Sequence, residues 1–342
     1  MKILVIAIPG MGNTLLAVPM LKALRKRFPK ARIDLLVGLK SSLELLKNCP
    51  YINNIYIINK NFQKGFFRNF SVLKQLRKEH YDISITTFPA QQPHYNLLAS
   101  YIRARKRITH NYGKNLVGLQ NYRVQIKICH DVEQNLNLLN PLGIKKKGNS
   151  KLELWLNKEE KTSAINFIKK FSENKLIGIH PGTSIGRGME EKRWALENFG
   201  EVADRLIKME GARILVFLGP EDRDLEKIIK LVKNKNKITI VKDLDIRKVA
   251  AIIEKCMLFI SNDSGLMHIA VASSVPTIGI FMATDYRRTR PYTKNSIALH
   301  NGETYTIFRQ SIEKLAGLEH KEGKVGTVKV EELTEMAKKM LK

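Results

Sequence analysis

The sequence predicts an α/β protein with two doubly wound parallel sheets. Short apolar runs alternate with amphipathic helical segments from residue 3 onward. The alternation restarts after residues 145–151, Lys-Lys-Lys-Gly-Asn-Ser-Lys, a charged stretch without apolar residues that reads as a linker. Several apolar runs end in polar loops that lead into helices, as at the carboxyl edge of an open parallel sheet, where ligands bind.

The run at 3–8 is apolar throughout, as expected of a strand covered on both faces. It is too short for a signal peptide, and Gly10-Met11-Gly12-Asn13 leads into a helix rather than a cleavage site, so it reads as the first strand. A helix over 15–24 stops at Phe28-Pro29. Strands follow at 32–37, 52–58 and 81–87, with helices at 41–46 and 73–79. Between them, residues 60–70 place four phenylalanines among three cations and no acid. Such a loop suits the interface of an anionic membrane; the alternative is that its rings pack beneath it. A polar loop at 91–95 precedes a helix at 96–102. The basic cluster 103–107 then leads to a turn at Tyr112-Gly113-Lys114. His130-Asp131-Val132-Glu133-Gln134-Asn135 opens a further helix, which Asp131 is expected to cap.

The second half carries strands at 176–179, 213–218, 238–241, 257–260 and 276–281. Helices are read at 158–171, 196–209, 246–256 and 330–341. The stretch Ser261-Asn262-Asp263-Ser264-Gly265-Leu266-Met267-His268 stands where a strand hands over to a helix. A helix start there offers unpaired N–H groups and suits phosphate. The alternative is an ordinary cap, with Asp263 or Ser264 accepting from the first turn.

The chain has 342 residues, 44% hydrophobic and 27% charged, which places it among globular proteins with a large core. No run approaches the roughly 18 apolar residues of a membrane span. Cys49, Cys129 and Cys256 lack metal or redox spacing and read as buried thiols of a reducing cytoplasm. Residues 1–150 hold 25 Lys and Arg against 6 Asp and Glu, whereas the remainder holds 34 against 26. The excess implies an anionic partner for the first half. No nucleic-acid module surrounds it, so nucleic acid is not the expected partner.

Four loops of the second half fall at strand carboxyl ends: Thr183/Ser184, Glu221, Asp263 to His268 and Thr284/Asp285. Hydroxyls, a glycine and helix-start amides suit a pyrophosphate, with Lys192 as a point charge. Asp263 and Glu221 are acceptors for sugar hydroxyls. The set describes a nucleotide diphosphate carrying a polyol. The dinucleotide fingerprint, the Walker motif and metal-binding histidine spacings are absent, so neither cofactor nor metal is expected.

These segments resemble those of the lipopolysaccharide heptosyltransferases, glycosyltransferase family 9. Ile179-His180-Pro181-Gly182-Thr183-Ser184 with Lys192-Arg193-Trp194 is similar to the family's HPG-(A/T)-S…KRW segment. Ser261 to His268 resembles its SNDTGPMH, and Met282 to Tyr292 its GPTDPxRxxPY. His130-x-x-Glu133-x-Asn135 resembles HxxExN, and Gly10 to Pro19 resembles G-x-G-D-x-x-x-x-x-P. The resemblance implies a GT-B fold: two facing Rossmann-like domains with parallel sheets and an interdomain cleft. An acceptor domain at 1–150, a nucleotide-sugar domain at 151–329 and a terminal helix at 330–342 crossing back to the first domain follow from it. It implies an inverting enzyme moving a heptose or related sugar from a nucleotide diphosphate, ADP by family, to a lipopolysaccharide-core or other lipid-linked saccharide. The donor would meet Thr183, Ser184, Lys192, Glu221, Asp263, Ser264, Gly265 and His268, with Leu244 along the adenine. A monomer, cytoplasmic and peripheral on the inner face of the membrane, is the implied state.

One position departs from the pattern. Where the family has its Asp base, this chain has Asn13, and an amide cannot take a proton at neutral pH. Asn13 orients the acceptor hydroxyl while another group takes the proton, or it marks a different acceptor, or transfer has been lost. In the last case the chain is a nucleotide-sugar or anionic-lipid binding protein of the same fold. Gly12, Asn13, His94 and His110 are the acceptor-side candidates. His94, His110 and Asp285 are the candidate substitute bases, each also explicable as structural.

Overall fold

A computed structural model describes residues 1–59, 66–112, 119–145, 150–171, 175–183, 189–300, 312–319 and 328–342. The chain divides into two units. The first runs from Met1 to Trp155 and takes in the helix Ile312–Leu315; the second begins at Leu156 and takes in the helix Val330–Met340.

In the first unit β1 (Lys2–Ala7), β2 (Arg32–Val37), β3 (Asn54–Ile57), β4 (Ile83–Thr86), β5 (Lys106–His110) and β6 (Tyr122–Val124) form one parallel sheet, ordered β3-β2-β1-β4-β5-β6. In the second, β7 (Leu176–His180), β8 (Arg213–Phe217), β9 (Ile238–Val241), β10 (Leu258–Asn262), β11 (Thr277–Phe281) and β12 (Ser296–His300) are ordered β12-β11-β10-β7-β8-β9. Read from their central strands, the two orders are the same. Each sheet reverses direction between its first and fourth strands, β1 with β4 and β7 with β10. At such a switch point the flanking loops leave in opposite directions and open a crevice.

The central strands are fully buried, as their unbroken apolar runs require; Ile3 to Ile6 and Leu258 to Ile260 are at most 1% exposed. β5, β6 and β12 have no counterpart in the sequence reading. β6 and β12 are edge strands, with half-exposed residues that dilute the apolar signal, and β5 opens on Lys106-Arg107. The strand expected at 52–58 is confined to β3, the opposite edge.

Other expectations change locally. The helix Asp131–Asn137 is capped by His130, whose Nδ1 accepts from the Val132 N–H at 3.1 Å, while Asp131 is buried in its first turn. A helix Phe66–Lys78 replaces the end of the basic aromatic loop, and residues 60–65 lie outside the described residues. Cys49 and Cys256 are buried, but Cys129 is only partly so. The proposed linker falls in part outside the described residues, at 146–149. Beyond it the chain still adheres to the first unit: Glu153 meets Lys22 and Tyr51, and Trp155 packs edge-on against Tyr51, centroids 5.3 Å apart.

The terminal helix does not cross back. Val330, Leu333 and Ala337 form one buried stripe, packed in a common cluster with Phe199, Val202 and Leu206 of the helix Leu196–Glu210 in the second unit. Arg205 pairs with Glu331 at 2.6 Å along the same contact. The helix that joins the first unit is Ile312–Leu315, with Ile312 buried against Phe88 and Ile126.

A buried ion pair braces the second unit. Arg247, fully enclosed in the helix Ile246–Ile253, donates to Glu160 at 2.8 Å, and Glu160 also closes a capping box with Asn157. Removing only the cation leaves a largely buried carboxylate without its charge partner. Arg247→Met is expected to lose about 3 kcal/mol of stability in denaturant unfolding. A loss within the ±0.5 kcal/mol of ordinary surface changes contradicts a bracing role.

Candidate functional site

The site is assembled at the β7/β10 switch point. β10 ends in Asn262, and the helix Gly265–Ala272 starts three residues later. Ser264 occupies the cap position, yet its side chain does not accept from the first turn. The ordinary-cap alternative is therefore not what the structure adopts. Ser264 Oγ is instead 3.0 Å from Ser261 Oγ. Asp263 turns away to accept from Lys192 Nζ at 3.2 Å, Thr284 Oγ1 at 2.9 Å and Thr289 Oγ1 at 3.3 Å. The helix start keeps its N–H groups and positive dipole end free of a side-chain cap, the condition for an anion site.

The electrostatics are set by burial against charge. Burial pushes the Asp263 carboxyl up, but Lys192, then His268 and Thr284, hold it below the usual carboxylate range. It is therefore ionised at neutral pH. His268, on the first turn of the helix, is pushed down to about 4 by burial, against the pull of Asp263 and with the help of Lys192. Its imidazole is neutral, and Nδ1 has no hydrogen-bond partner among the described residues. A buried polar atom without a partner is costly unless a ligand or water satisfies it.

Neighbouring loops are fastened by residues the motif reading did not single out. Asn262 Oδ1 accepts from the Trp194 N–H at 3.0 Å, and its Nδ2 donates to the Pro181 carbonyl at 2.7 Å. One amide thus joins β10, the loop after β7 and the Lys192 segment. In the loop after β8, Asp222 accepts from the Gly219 N–H at 2.9 Å and from Arg193 at 3.1 Å. A Cβ on Gly182 would stand 2.3 Å from Asp222 Oδ1, so this approach requires glycine. Asp222, buried, organises that loop, whereas Glu221, expected to meet the sugar, is exposed. From sequence alone two adjacent acids were indistinguishable; Asn262 stood inside a motif with no role assigned to it, and Thr289 fell at a position the motif leaves unspecified.

Lys192, Asp263, Ser264, Gly265 and His268 thus come together. Thr183 is buried three residues past β7, and Ser184 lies outside the described residues. Leu244, three residues past β9, is 38% exposed, an apolar side chain left in solvent. Its neighbours Lys242 and Asp243 line a pocket of about 230 Å³ with Leu218, Gly219, Arg223 and Glu226.

In the first unit the carboxyl ends of β1 and β4 flank the other switch point. Gly12 and Asn13 lie in the helix Met11–Leu16 after β1. Asn13 is partly exposed and makes no side-chain hydrogen bond among the described residues. Thr14 locks the turn below it, its Oγ1 3.1 Å from Ser42 Oγ and 3.3 Å from the Gly10 carbonyl. Asn135 ties the same region together, accepting from the Phe88 N–H at 2.9 Å and donating to the Leu16 carbonyl at 3.3 Å. His94 begins the helix Pro93–Ile102 after β4, half-buried against the Tyr95 ring, and burial lowers its pKa.

Two further candidate bases are buried. His110 ends β5 fully buried beside Phe88, ring centroids 5.2 Å apart, and burial pushes it down to about 3. Asp285 caps the short helix Tyr286–Thr289 and holds the Arg287 guanidinium at 2.8 and 2.7 Å. Among the described residues no three His, Cys, Asp or Glu side chains group as metal ligands, and no helix is long and apolar enough to cross a membrane.

Paired parallel sheets of this order, each with its loops at the carboxyl edge, define a GT-B-like glycosyltransferase fold. The chain superimposes on a family 9 glycosyl transferase from Veillonella parvula with a TM-score of 0.82 and 23% identity, covering 99% of this chain and 97% of that one. The E. coli ADP-heptose lps heptosyltransferase II gives a TM-score of 0.76 at 21% identity, covering 100% and 98%. Lipopolysaccharide heptosyltransferase 3 of Escherichia coli K12 is 28% identical over 305 residues, 85% of each chain. Residues 69–317 match the profile of glycosyltransferase family 9 (heptosyltransferase), and the chain belongs to that family.

The histidines make stability pH-dependent. Both His110 and His268 have folded pKa values below the unfolded 6.5. Below pH 6.5 the unfolded chain binds protons that the folded chain refuses, so stability falls as pH drops toward 4. Each contributes a slope of up to about 1.4 kcal/mol per pH unit. His110→Phe is expected to flatten the fall between pH 6 and 4 in thermal unfolding; an unchanged slope excludes the buried neutral imidazole.

Proposed function

We propose that this protein transfers a heptose or related sugar, with inversion, from an ADP-sugar to a lipopolysaccharide-core or other lipid-linked saccharide. The observation that carries the reading is the largely buried Lys192–Asp263 pair below an uncapped helix start at the β7/β10 switch point. Family membership supports glycosyl transfer in general. The ADP-heptose named for the structural relative supports the donor.

In this reading the diphosphate lies at the start of the helix Gly265–Ala272, where backbone N–H groups and Lys192 meet its charge. Lys192 gives one hydrogen bond to Asp263, and its other protons serve the phosphates. When the C1–O bond breaks, negative charge grows on the departing diphosphate, and these fixed donors stabilise it without rearranging. Asp263, ionised and held by two threonines, accepts from a sugar hydroxyl. His268 Nδ1 gains the partner it lacks from the same ligand. Leu244 covers one face of the base, with the ribose toward the pocket at Lys242 and Asp243.

The first unit is assigned the acceptor, and its surplus of cations suits an anionic lipid at the inner face of the membrane. The acceptor hydroxyl must lose its proton as it attacks C1, and Asn13 cannot take it. His94 is the reading's proton acceptor. It lies in the helix that follows β4, the strand paired with the one before Asn13, and burial lowers its pKa. Asn13 then orients the hydroxyl.

Binding of ADP, UDP and GDP by calorimetry is the deciding experiment. ADP is expected to bind tightest, and Lys192→Ala to weaken it roughly 10- to 100-fold. Preference for another base, or unchanged affinity in the variant, refutes the donor assignment. For the proton, His94→Gln is expected to lower kcat at least 100-fold with ADP affinity unchanged. Asn13→Asp is expected to restore turnover in that background. The residue Asn13 also favours a second reading, a binding protein without transfer; tight ADP binding with no donor turnover on any saccharide acceptor would select it.

A further inference from the structure

The helices Phe66–Lys78 and Pro93–Ile102 of the first unit lie against one another and present a common face. On the first helix Phe70, Lys74, Arg77 and Lys78 share one side, at spacings of four, seven and eight residues. On the second, Leu97 and Tyr101 share a side, four residues apart. Contacts place these two sides together. The Phe70 and Tyr101 rings are 6.3 Å apart, and the Arg77 guanidinium lies 4.9 Å over the Tyr101 ring while donating to the Tyr101 carbonyl at 3.4 Å.

The exposure of this face is unusual. Phe70 is 49% exposed and Leu97 51%, and Lys74 and Lys78 stand in solvent beside them. Neither helix contains an acid, so nothing on either neutralises the cations. Two large apolar side chains standing out among uncompensated cations match a boundary with an apolar interior and an anionic surface. A phospholipid bilayer supplies both: the rings and Leu97 enter the acyl boundary while the cations meet headgroups. A soluble anion would satisfy only the cations, and a second copy of the chain would oppose like charges at close range.

We infer that this two-helix face docks on an anionic phospholipid bilayer, with Phe70 and Leu97 inserted and Lys74, Arg77 and Lys78 on the headgroups. The inference gives the lipid contact of the proposed function a defined place in the fold. It stands on its own observations: the donor residues belong to the second unit and this face to the first.

The test is cosedimentation of the full chain with vesicles of phosphatidylcholine alone or mixed three to one with phosphatidylglycerol. The wild type is expected to bind the mixed vesicles at least tenfold better than the neutral ones, and less as salt rises. A single cation near the surface contributes about fivefold, so Lys74→Glu with Lys78→Glu is expected to reduce binding at least 25-fold. Phe70→Ser with Leu97→Ser is expected to reduce it severalfold without changing net charge. Thermal unfolding and ADP affinity of the same proteins check that each variant is folded and separate this outcome from the donor reading. Wild-type binding by both variants, or equal binding to both vesicle types, overturns the inference. Dimerisation abolished by the Phe70 and Leu97 changes, or single-stranded DNA binding abolished by the lysine changes with vesicle binding intact, assigns the face to another partner and also overturns it.

Discussion

A carboxylate kept ionised inside the second unit is the constraint around which its loops are arranged. Asp263 is largely withdrawn from water, which by itself favours the neutral acid. It stays charged because Lys192 lies at 3.2 Å and because Thr284 and Thr289 donate to its two oxygens. These partners come from the segment before the helix Leu196–Glu210 and from the region after β11, so the charge can exist only if all three stretches keep their places. A pair removed from water is of uncertain value to stability. Its value here is a cation, a carboxylate and a helix start held within one small volume.

The supports of that arrangement are polar and local. Asn262 spends its carbonyl on the Trp194 N–H and its amide on the Pro181 carbonyl. Asp222 collects the Gly219 N–H and Arg193, under a glycine that alone admits it. Such side-chain struts replace regular hydrogen bonding where loops converge on a sheet edge. They hold the reactive groups more narrowly than loops on their own would. Asn135 does the corresponding work in the first unit, between the Leu16 carbonyl and the Phe88 N–H. The two units reach the same device through unrelated residues.

Much of this was legible beforehand, and the exceptions share a cause. Buried central strands write themselves as unbroken apolar runs, so β1, β2, β7, β8 and β10 could be read directly. β6 and β12 bury almost none of their residues fully and were invisible for that reason, whereas the edge strands β3 and β9 kept enough apolar residues to be read. The motif Ser261 to His268 marked the site, because a strand-to-helix turn with Asp, Ser and Gly is a local feature. What Asp263 does there is not local: a capping role and a buried ion pair are equally compatible with the same eight residues. Likewise Asp131 was the expected cap of its helix, and the backbone geometry gave that role to the His130 imidazole instead. His110, a candidate base by residue type, is fully buried, which no local pattern announced.

By itself the sequence determined the class of the fold, the doubling of the sheet and the loops that carry the chemistry. These depend on hydrophobic period and turn chemistry, which act over a few residues. It also determined that the first half carries most of the positive charge and that an amide stands at position 13. Only the tertiary structure decided which acid is buried, which histidines are neutral and where the terminal helix packs. It alone brought Phe70 to Tyr101 across two helices, and Lys192 to Asp263 across 71 residues of chain. Burial, pairing and the proton affinities they set depend on neighbours distant in sequence, and no local pattern encodes them.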